Sequence, residues 1–437
     1  MMSLYQKVKP FLGSLSLLVI LNLLIKPVWI FWIDREVQNR AGLSDYGVYF
    51  ALINLSMVFN FLLDLGVTSH VNREVSTKQT EATVLIEKAL SYKIFLSFLY
   101  SACIMLMAWV TGVSNFYLLG LLIVLQILIS LLLFFRAGLT ASGLFWQDSV
   151  MSILDKLCII IVAGIWLLTH KGHKLDIHQF VWLQLITTSV TLMAAYVLLK
   201  NKISFTFFQF PKLKKETIIS ALPYALNYFF MTALLRGDGF LIDRLSGAHD
   251  AGIYAAAFRL VDAVNMFGFL FAAFLVSYIA REGINQETAF ILRITRTFLL
   301  IPAVLLSAMG WFYSDKINEI LYYSSSTQTT EVIRILLLCL PALALVHIYG
   351  SVLTAAGEIK LFRNISGMMS LLLVLTDIAF IPRYGILSAA WVAVVFQSVY
   401  ALIVMWYAIS KKGLKTYLVD LIVIMGIGLV LWISLNS

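Results

Sequence analysis

Lys26, Arg236 and Arg259 each interrupt an apolar run long enough to cross a bilayer, and none stands at the end of its run. Lys26 lies about two-thirds of the way through the first run, Arg236 at a similar depth in the seventh, and Arg259 about two turns into the eighth. A charge at such depth costs several kcal/mol unless it faces protein or water, and it usually marks a pathway. Lys26 and Arg236 are 210 positions apart, which makes them near-equivalent under an internal repeat described below. Two or three fixed cations across a cleft suit an anion such as a phosphate or diphosphate, Arg offering a bidentate fork and Lys a compact charge. Each residue also has a plainer reading. Asp262 is one turn from Arg259, so the two can neutralise each other. Asp238 stands near Arg236, although residues two apart point to different faces. Lys26 precedes Pro27 and can snorkel outward.

Other charges in apolar runs have local explanations. Asp64 is expected near the inner end of span 2, Asp155 and Lys156 near the inner start of span 5, and Asp377 near the outer end of span 11, where each can reach the interface or pair locally. His170, His173 and His178 cluster in one short loop, with Asp176 the one carboxylate nearby, and read as solvated residues rather than metal ligands. Cys103, Cys158 and Cys339 all fall in apolar runs, too scattered for a disulfide framework or a zinc site. No G-x-x-x-x-G-K-[ST] loop occurs, so ATP is not expected to drive this chain directly, and neither a cofactor nor a metal is expected. Pro27, Pro223, Pro302 and Pro341 interrupt helices and serve either as hinges or as static kinks.

The elements that position these residues must be membrane helices. Of 437 residues, 61% are apolar and 13% charged, whereas a soluble domain is about 45–50% apolar and about 25% charged. Many runs reach the roughly 20 residues that a helix needs to span the hydrocarbon, and they lack the alternation of barrel strands. Thirteen spans are predicted, at about 11–33, 46–67, 90–111, 116–138, 149–169, 179–199, 217–242, 252–279, 290–313, 332–355, 361–381, 386–409 and 416–434. With the N-terminus in the cytoplasm, 20 Lys and Arg fall on the inner side and 7 on the outer, the bias that sets orientation. The net charge of +9 is thus a matter of topology and does not point to nucleic acid.

The chain repeats itself weakly. Ile33-Asp34-Arg35 recurs as Ile242-Asp243-Arg244, Asp45-Tyr-Gly-Val-Tyr49 as Asp250-Ala-Gly-Ile-Tyr254, Arg73-Glu74 as Arg281-Glu282, and Leu139-Thr-Ala-Ser-Gly143 as Leu353-Thr-Ala-Ala-Gly357. The order is kept and the offset, 205 to 214 positions, is nearly constant. It covers six spans, so the halves cross the membrane in the same sense, as in parallel-repeat transporters. The expected organisation is a six-helix bundle over 1–200, a basic cytoplasmic linker over 201–216, a second six-helix bundle over 217–410 and an extra helix over 411–437, with the substrate path between the halves.

Arg40-Ala-Gly-Leu-Ser-Asp-Tyr-Gly-Val-Tyr49, then Asp64-Leu-Gly66 and Asn72-Arg-Glu74, resembles the start of the Wzx-type polysaccharide flippases of the multidrug/oligosaccharidyl-lipid/polysaccharide (MOP) exporter superfamily. Arg236-Gly-Asp238 through Gly252-Ile-Tyr254 and Arg259-Leu260 resembles that family's start of its second half, and Ile381-Pro-Arg-Tyr-Gly385 with Ala389-Ala390 resembles a later motif in which Ser388 replaces a glycine. The resemblance implies two six-helix bundles forming a V, and a substrate of undecaprenyl-diphosphate-linked oligosaccharide whose prenyl tail stays in lipid. It implies alternating access driven by a proton or sodium gradient in the bacterial inner membrane. It maps cationic cavity residues onto Lys26 and Arg236 with Arg259 behind them, and it leaves Asp64, Asp238 and Asp262 as ion-coupling candidates. A monomer is the expectation, since the cleft needs no partner subunit.

Two other functions compete. A small-molecule antiporter of the multidrug branch favours acidic cavity residues, whereas the charges here lean basic. A membrane enzyme of glycan assembly needs a large outer loop with clustered catalytic residues, and the longest outer loop, about 314–331, is rich in Ser and Thr and lacks His and Arg.

Overall fold

The computed structural model describes residues 21–68, 71, 75, 82–169, 173–200, 215–323, 326–412 and 426. Every regular element among them is helical, as lipid requires of a backbone that must satisfy its own hydrogen bonds. The described helices are α1 (residues 21–41), α2 (Leu43–Leu63), α3 (Ala82–Val110), α4 (Phe116–Ala141), α5 (Phe145–Thr169), α6 (Ile177–Lys200), α7 (Lys215–Leu245), α8 (Ala248–Glu282), α9 (Gln286–Leu321), α10 (Thr327–Ala355), α11 (Ile359–Tyr384) and α12 (Ile386–Lys412). Ten of them, α2 to α6 and α8 to α12, are long and apolar enough to cross a membrane. α7 carries Arg236, Asp238, Asp243 and Arg244 toward its C-terminal end. The thirteenth span, apart from position 426, and most of the 201–216 linker lie outside the described residues.

The helix interruptions have local causes. Directly after Pro27, α1 widens into a π-helical turn over Trp29–Asp34, the kind of bulge that often accompanies a site. α2 tightens to a 3-10 turn at Phe59–Leu63 and ends where Leu65 and Gly66 both take positive φ, 40° and 83°. Asp64 closes that turn by accepting from the Thr68 backbone N–H at 3.2 Å. α10 passes through a 3-10 turn at Leu337–Cys339 before Pro341 restarts it, a position where proline costs no hydrogen bond. In α9 the helix carries Pro302, yet its irregular backbone is at Tyr313.

The chain forms two compact units. Unit 1 comprises residues 1–41 and 55–225, and unit 2 residues 42–54 and 226–437. Within unit 1, α4 packs on α6 and α5 on α6, and Ile86, Leu96, Phe134, Leu139 and Leu199 are core residues. Within unit 2, α10 is central, packed by α8, α9 and α12, and it is buried along most of its length.

The first half of α2 belongs to unit 2, and glycine makes that possible. A Cβ on Gly47 would overlap the Ala248 carbonyl oxygen, and one on Gly252 would overlap the Leu43 carbonyl oxygen. The contact is reciprocal: Leu43 and Gly47 are the repeat equivalents of Ala248 and Gly252. The repeated Asp-x-Gly-x-Tyr motif thus packs against its own copy, each glycine admitting the other helix's backbone, as small residues do in membrane helix crossings.

Candidate functional site

In unit 2, α7 and α8 bring Arg236, Arg259 and Asp262 together. Arg236 Nη2 donates to Asp262 Oδ1 at 2.7 Å, and its Nη1 donates to Asn54 Oδ1 at 3.1 Å. Arg259 Nε donates to the Tyr46 hydroxyl at 2.9 Å, and its Nη1 lies 3.6 Å from Asp262 Oδ2. Aromatic faces complete the cradle: Arg236 lies over Phe258 at 5.5 Å, and Arg259 over Tyr46 and Phe50 at 5.7 Å each. One carboxylate therefore serves two guanidinium groups. The one-turn spacing of Arg259 and Asp262 foretold their pairing; that Arg236 shares the same acid was not visible.

Asp238 faces another way, as its two-residue offset from Arg236 requires. Its carboxylate is buried and accepts from the Tyr254 hydroxyl at 2.7 Å. Beside it lies Asp377 from α11, wholly buried. Asp238 Oδ1 and both Asp377 oxygens lack a hydrogen-bond donor among the described residues. The expected reach of Asp377 to the membrane interface is therefore corrected: its side chain turns inward and meets a second carboxyl. Two facing acids with three undonated oxygens have the chemistry to hold a proton or a small cation.

In unit 1, Asn22, Lys26 and Trp29 share one face of α1. Asn22 donates to Ser152 of α5 at 3.0 Å. Lys156 Nζ stands 5.0 Å over the Trp29 ring, which stacks on Phe180 of α6 at 5.8 Å. Lys156 and Asp155 are 3.2 Å apart, and Arg136 of α4 donates to Asp148 at 2.7 Å. Lys26 is half-buried and, among the described residues, has no ion-pair partner; Lys156, Arg136 and Asp155 are the charges that act on it.

Asp64 is engaged elsewhere in unit 1. Lys93 of α3, 2% exposed, donates to its Oδ1 at 2.7 Å, and the Thr68 hydroxyl donates to the same oxygen. Local pairing was one of the two readings open for Asp64. Burial of Lys93 was not anticipated, since that residue looks in sequence like one of the interfacial cations.

The model of the polysaccharide biosynthesis protein family matches residues 12–274. The chain belongs to this family. The match takes in α1 to α6, α7 and most of α8, and hence Lys26, Asp64, Arg236, Asp238, Arg259 and Asp262. No curated protein matches the chain. Among solved structures, the lipid II flippase MurJ in an inward closed conformation is 15% identical with a TM-score of 0.65, over 97% of this chain and 93% of that one. An inward-facing multidrug resistance MATE family transporter of the MOP superfamily is 14% identical with a TM-score of 0.64, over 88% of this chain and 94% of that one. A MOP superfamily transporter from Pyrococcus furiosus, whose binding pocket is described as having reverse polarity, is 12% identical with a TM-score of 0.63, over 92% and 95%. At such identities the likeness speaks for the fold. The chain is an all-α, multi-pass membrane protein of MOP-like fold, and the family resemblance read in its sequence is borne out.

Proposed function

We propose that this protein is a flippase for undecaprenyl-diphosphate-linked oligosaccharides, moving them from the inner to the outer leaflet of a bacterial inner membrane. The observation that carries the reading is the conjunction of a polysaccharide biosynthesis family match with two arginines, Arg236 and Arg259, gathered on one carboxylate between α7 and α8. Lys26, Arg236 and Arg259 are the proposed substrate contacts, because a substrate headed by a diphosphate needs cations where lipid offers none. Transport is by alternating access coupled to a proton or sodium ion. Of the three acids named for coupling, Asp64 is bound to Lys93 and Asp262 to two arginines, whereas Asp238, with Asp377, retains undonated oxygens. Asp238 is therefore the proposed coupling residue. The N-terminus is cytoplasmic, the bundles are 1–200 and 217–410 joined by 201–216, 411–437 is an added helix, and the protein acts as a monomer.

The test is complementation. The gene is deleted in its host and restored as native, Lys26→Ala or Arg236→Ala, with protein levels matched. Loss of surface polysaccharide, lipid-linked repeat units accumulating on the cytoplasmic face, and failure of both variants to rescue support the reading. Normal polysaccharide in a deletion strain without a redundant transporter overturns it in favour of a small-molecule antiporter.

A further inference from the structure

We infer that unit 1 carries a sugar-binding platform at the N-terminal ends of α4 and α6, where Tyr117, Trp182, His178 and Asp176 receive the glycan of a lipid-linked saccharide. The inference rests on the flippase reading for the source of the sugar, but the platform's geometry does not depend on that reading. Trp182 Nε1 donates to the Tyr117 hydroxyl at 3.0 Å. The Tyr117 ring lies 5.5 Å from the His178 imidazole, their planes 33° apart. His178 and Trp182 are one turn apart on α6 and share a face, and Tyr117 of α4 meets both. Asp176 Oδ1 accepts from the His178 backbone N–H at 2.9 Å and lies 2.8 Å from the ring Nδ1. In the orientation proposed above, this end of unit 1 faces outward.

The array is fixed from behind and open in front. Leu118, Phe180 and Val181, the neighbours of these residues on α4 and α6, are fully buried. Asn115 caps α4 by accepting from the Leu118 N–H at 3.0 Å. The Leu175 N–H donates to the Arg40 carbonyl at 3.3 Å, which ties the approach to α6 to the end of α1. Tyr117 is 59% exposed and Trp182 47%, and the Asp176 side chain is 54% exposed. A ring that only anchors a helix at the membrane surface needs its polar atom in water. Here the indole N–H is bonded to a tyrosine and the imidazole to a carboxylate, so the rings are oriented relative to one another. The Tyr117 hydroxyl, accepting from Trp182, keeps its own hydrogen to donate, and Asp176 keeps lone pairs to accept. Aromatic faces between a donor and an acceptor match a pyranose, which has an apolar C–H face and a rim of hydroxyls that do both. The carboxylate is acceptor-only and has nothing to offer a phosphate.

The test uses purified full-length protein in zwitterionic nanodiscs and the repeat-unit oligosaccharide of the host's surface polysaccharide, freed from its lipid by mild acid. Binding is read by saturation-transfer NMR on the sugar C–H protons. Native protein is expected to transfer saturation. Trp182→Leu and Tyr117→Leu are each expected to weaken binding roughly fivefold or more, the usual cost of truncating a contacting aromatic residue. Asp176→Asn, which keeps the turn at the start of α6, is expected to weaken it in the same direction. Trp182→Phe, which keeps a ring face, is expected to retain most of it. Trp146→Leu, at the far end of α5 and equally exposed to lipid or water, is expected to change nothing. No transfer from native protein overturns the inference. Binding undiminished in Trp182→Leu and Asp176→Asn overturns it too, leaves the rings as membrane anchors and does not touch the flippase reading. Equal loss in Trp146→Leu overturns it by showing a general effect of removing surface tryptophan. Normal polysaccharide in the deletion strain, beside sugar binding that these variants abolish, sinks the flippase reading and spares the platform.

Discussion

Asp262 sets how positive charge is arranged in unit 2, because it pairs with both Arg236 and Arg259. Removing it leaves two guanidinium groups facing each other with aromatic rings around them. Asp262→Asn is therefore expected to destabilise the purified protein by on the order of 3 kcal/mol, the usual cost of breaking a buried pair from one side. Arg259→Gln is expected to cost less, since Arg236 keeps its carboxylate; thermal unfolding in detergent compares the two. The Asp64–Lys93 pair makes an opposite kind of asymmetry. Lys93 is 2% exposed and its partner 36%, so an orphaned Asp64 can hydrate and an orphaned Lys93 cannot. Asp64→Ala should thus lower the melting temperature more than Lys93→Met, and the reverse order would show that the pair's packing matters more than its charge. At this scale the sequence was legible where a charge broke an apolar run near its middle, as at Lys26, Arg236 and Arg259. It was not legible at Asp377 or Lys93, because their partners come from other helices, and a linear reading sees only distance from a span end.

Elements were easier to read than their edges. Apolar runs of membrane length force helices, and the predicted spans from 46–67 to 386–409 all correspond to described helices. The edges mattered, however. α5 begins at Phe145 rather than near 149, which puts Lys156 eleven residues into the helix, roughly 16 Å along its axis. From the expected start it looked interfacial. The repeated glycines were legible as a motif but not as a contact. Their reciprocal crossing gives a direct prediction: Gly47→Val or Gly252→Val must push α2 and α8 apart and should abolish monodisperse expression. Gly120→Ala, in α4 where a Cβ meets nothing within 4 Å, should be neutral or mildly stabilising. Fluorescence-detected size exclusion of the tagged variants reads both.

For the whole molecule, composition alone already required a membrane protein, and the weak repeat and scattered motifs led to the family that the match then showed. What sequence pattern does not carry is which cations share an acid and which stand alone, since that depends on three helices meeting. The predicted orientation is checked by cysteine accessibility: a single cysteine placed at Lys7 should be shielded from a membrane-impermeant reagent in intact cells, and one placed at Lys174 should react. The most direct test of the central claim is reconstituted transport. Proteoliposomes carrying an undecaprenyl-diphosphate oligosaccharide are probed with an enzyme that trims the glycan only on the outer leaflet. Native protein is expected to deliver the inner pool to that enzyme, and Lys26→Gln and Arg236→Gln to slow delivery about tenfold or more, as loss of one charge-assisted contact implies. Delivery by native protein no faster than in protein-free liposomes, with the ion gradient imposed in either direction, would contradict the account.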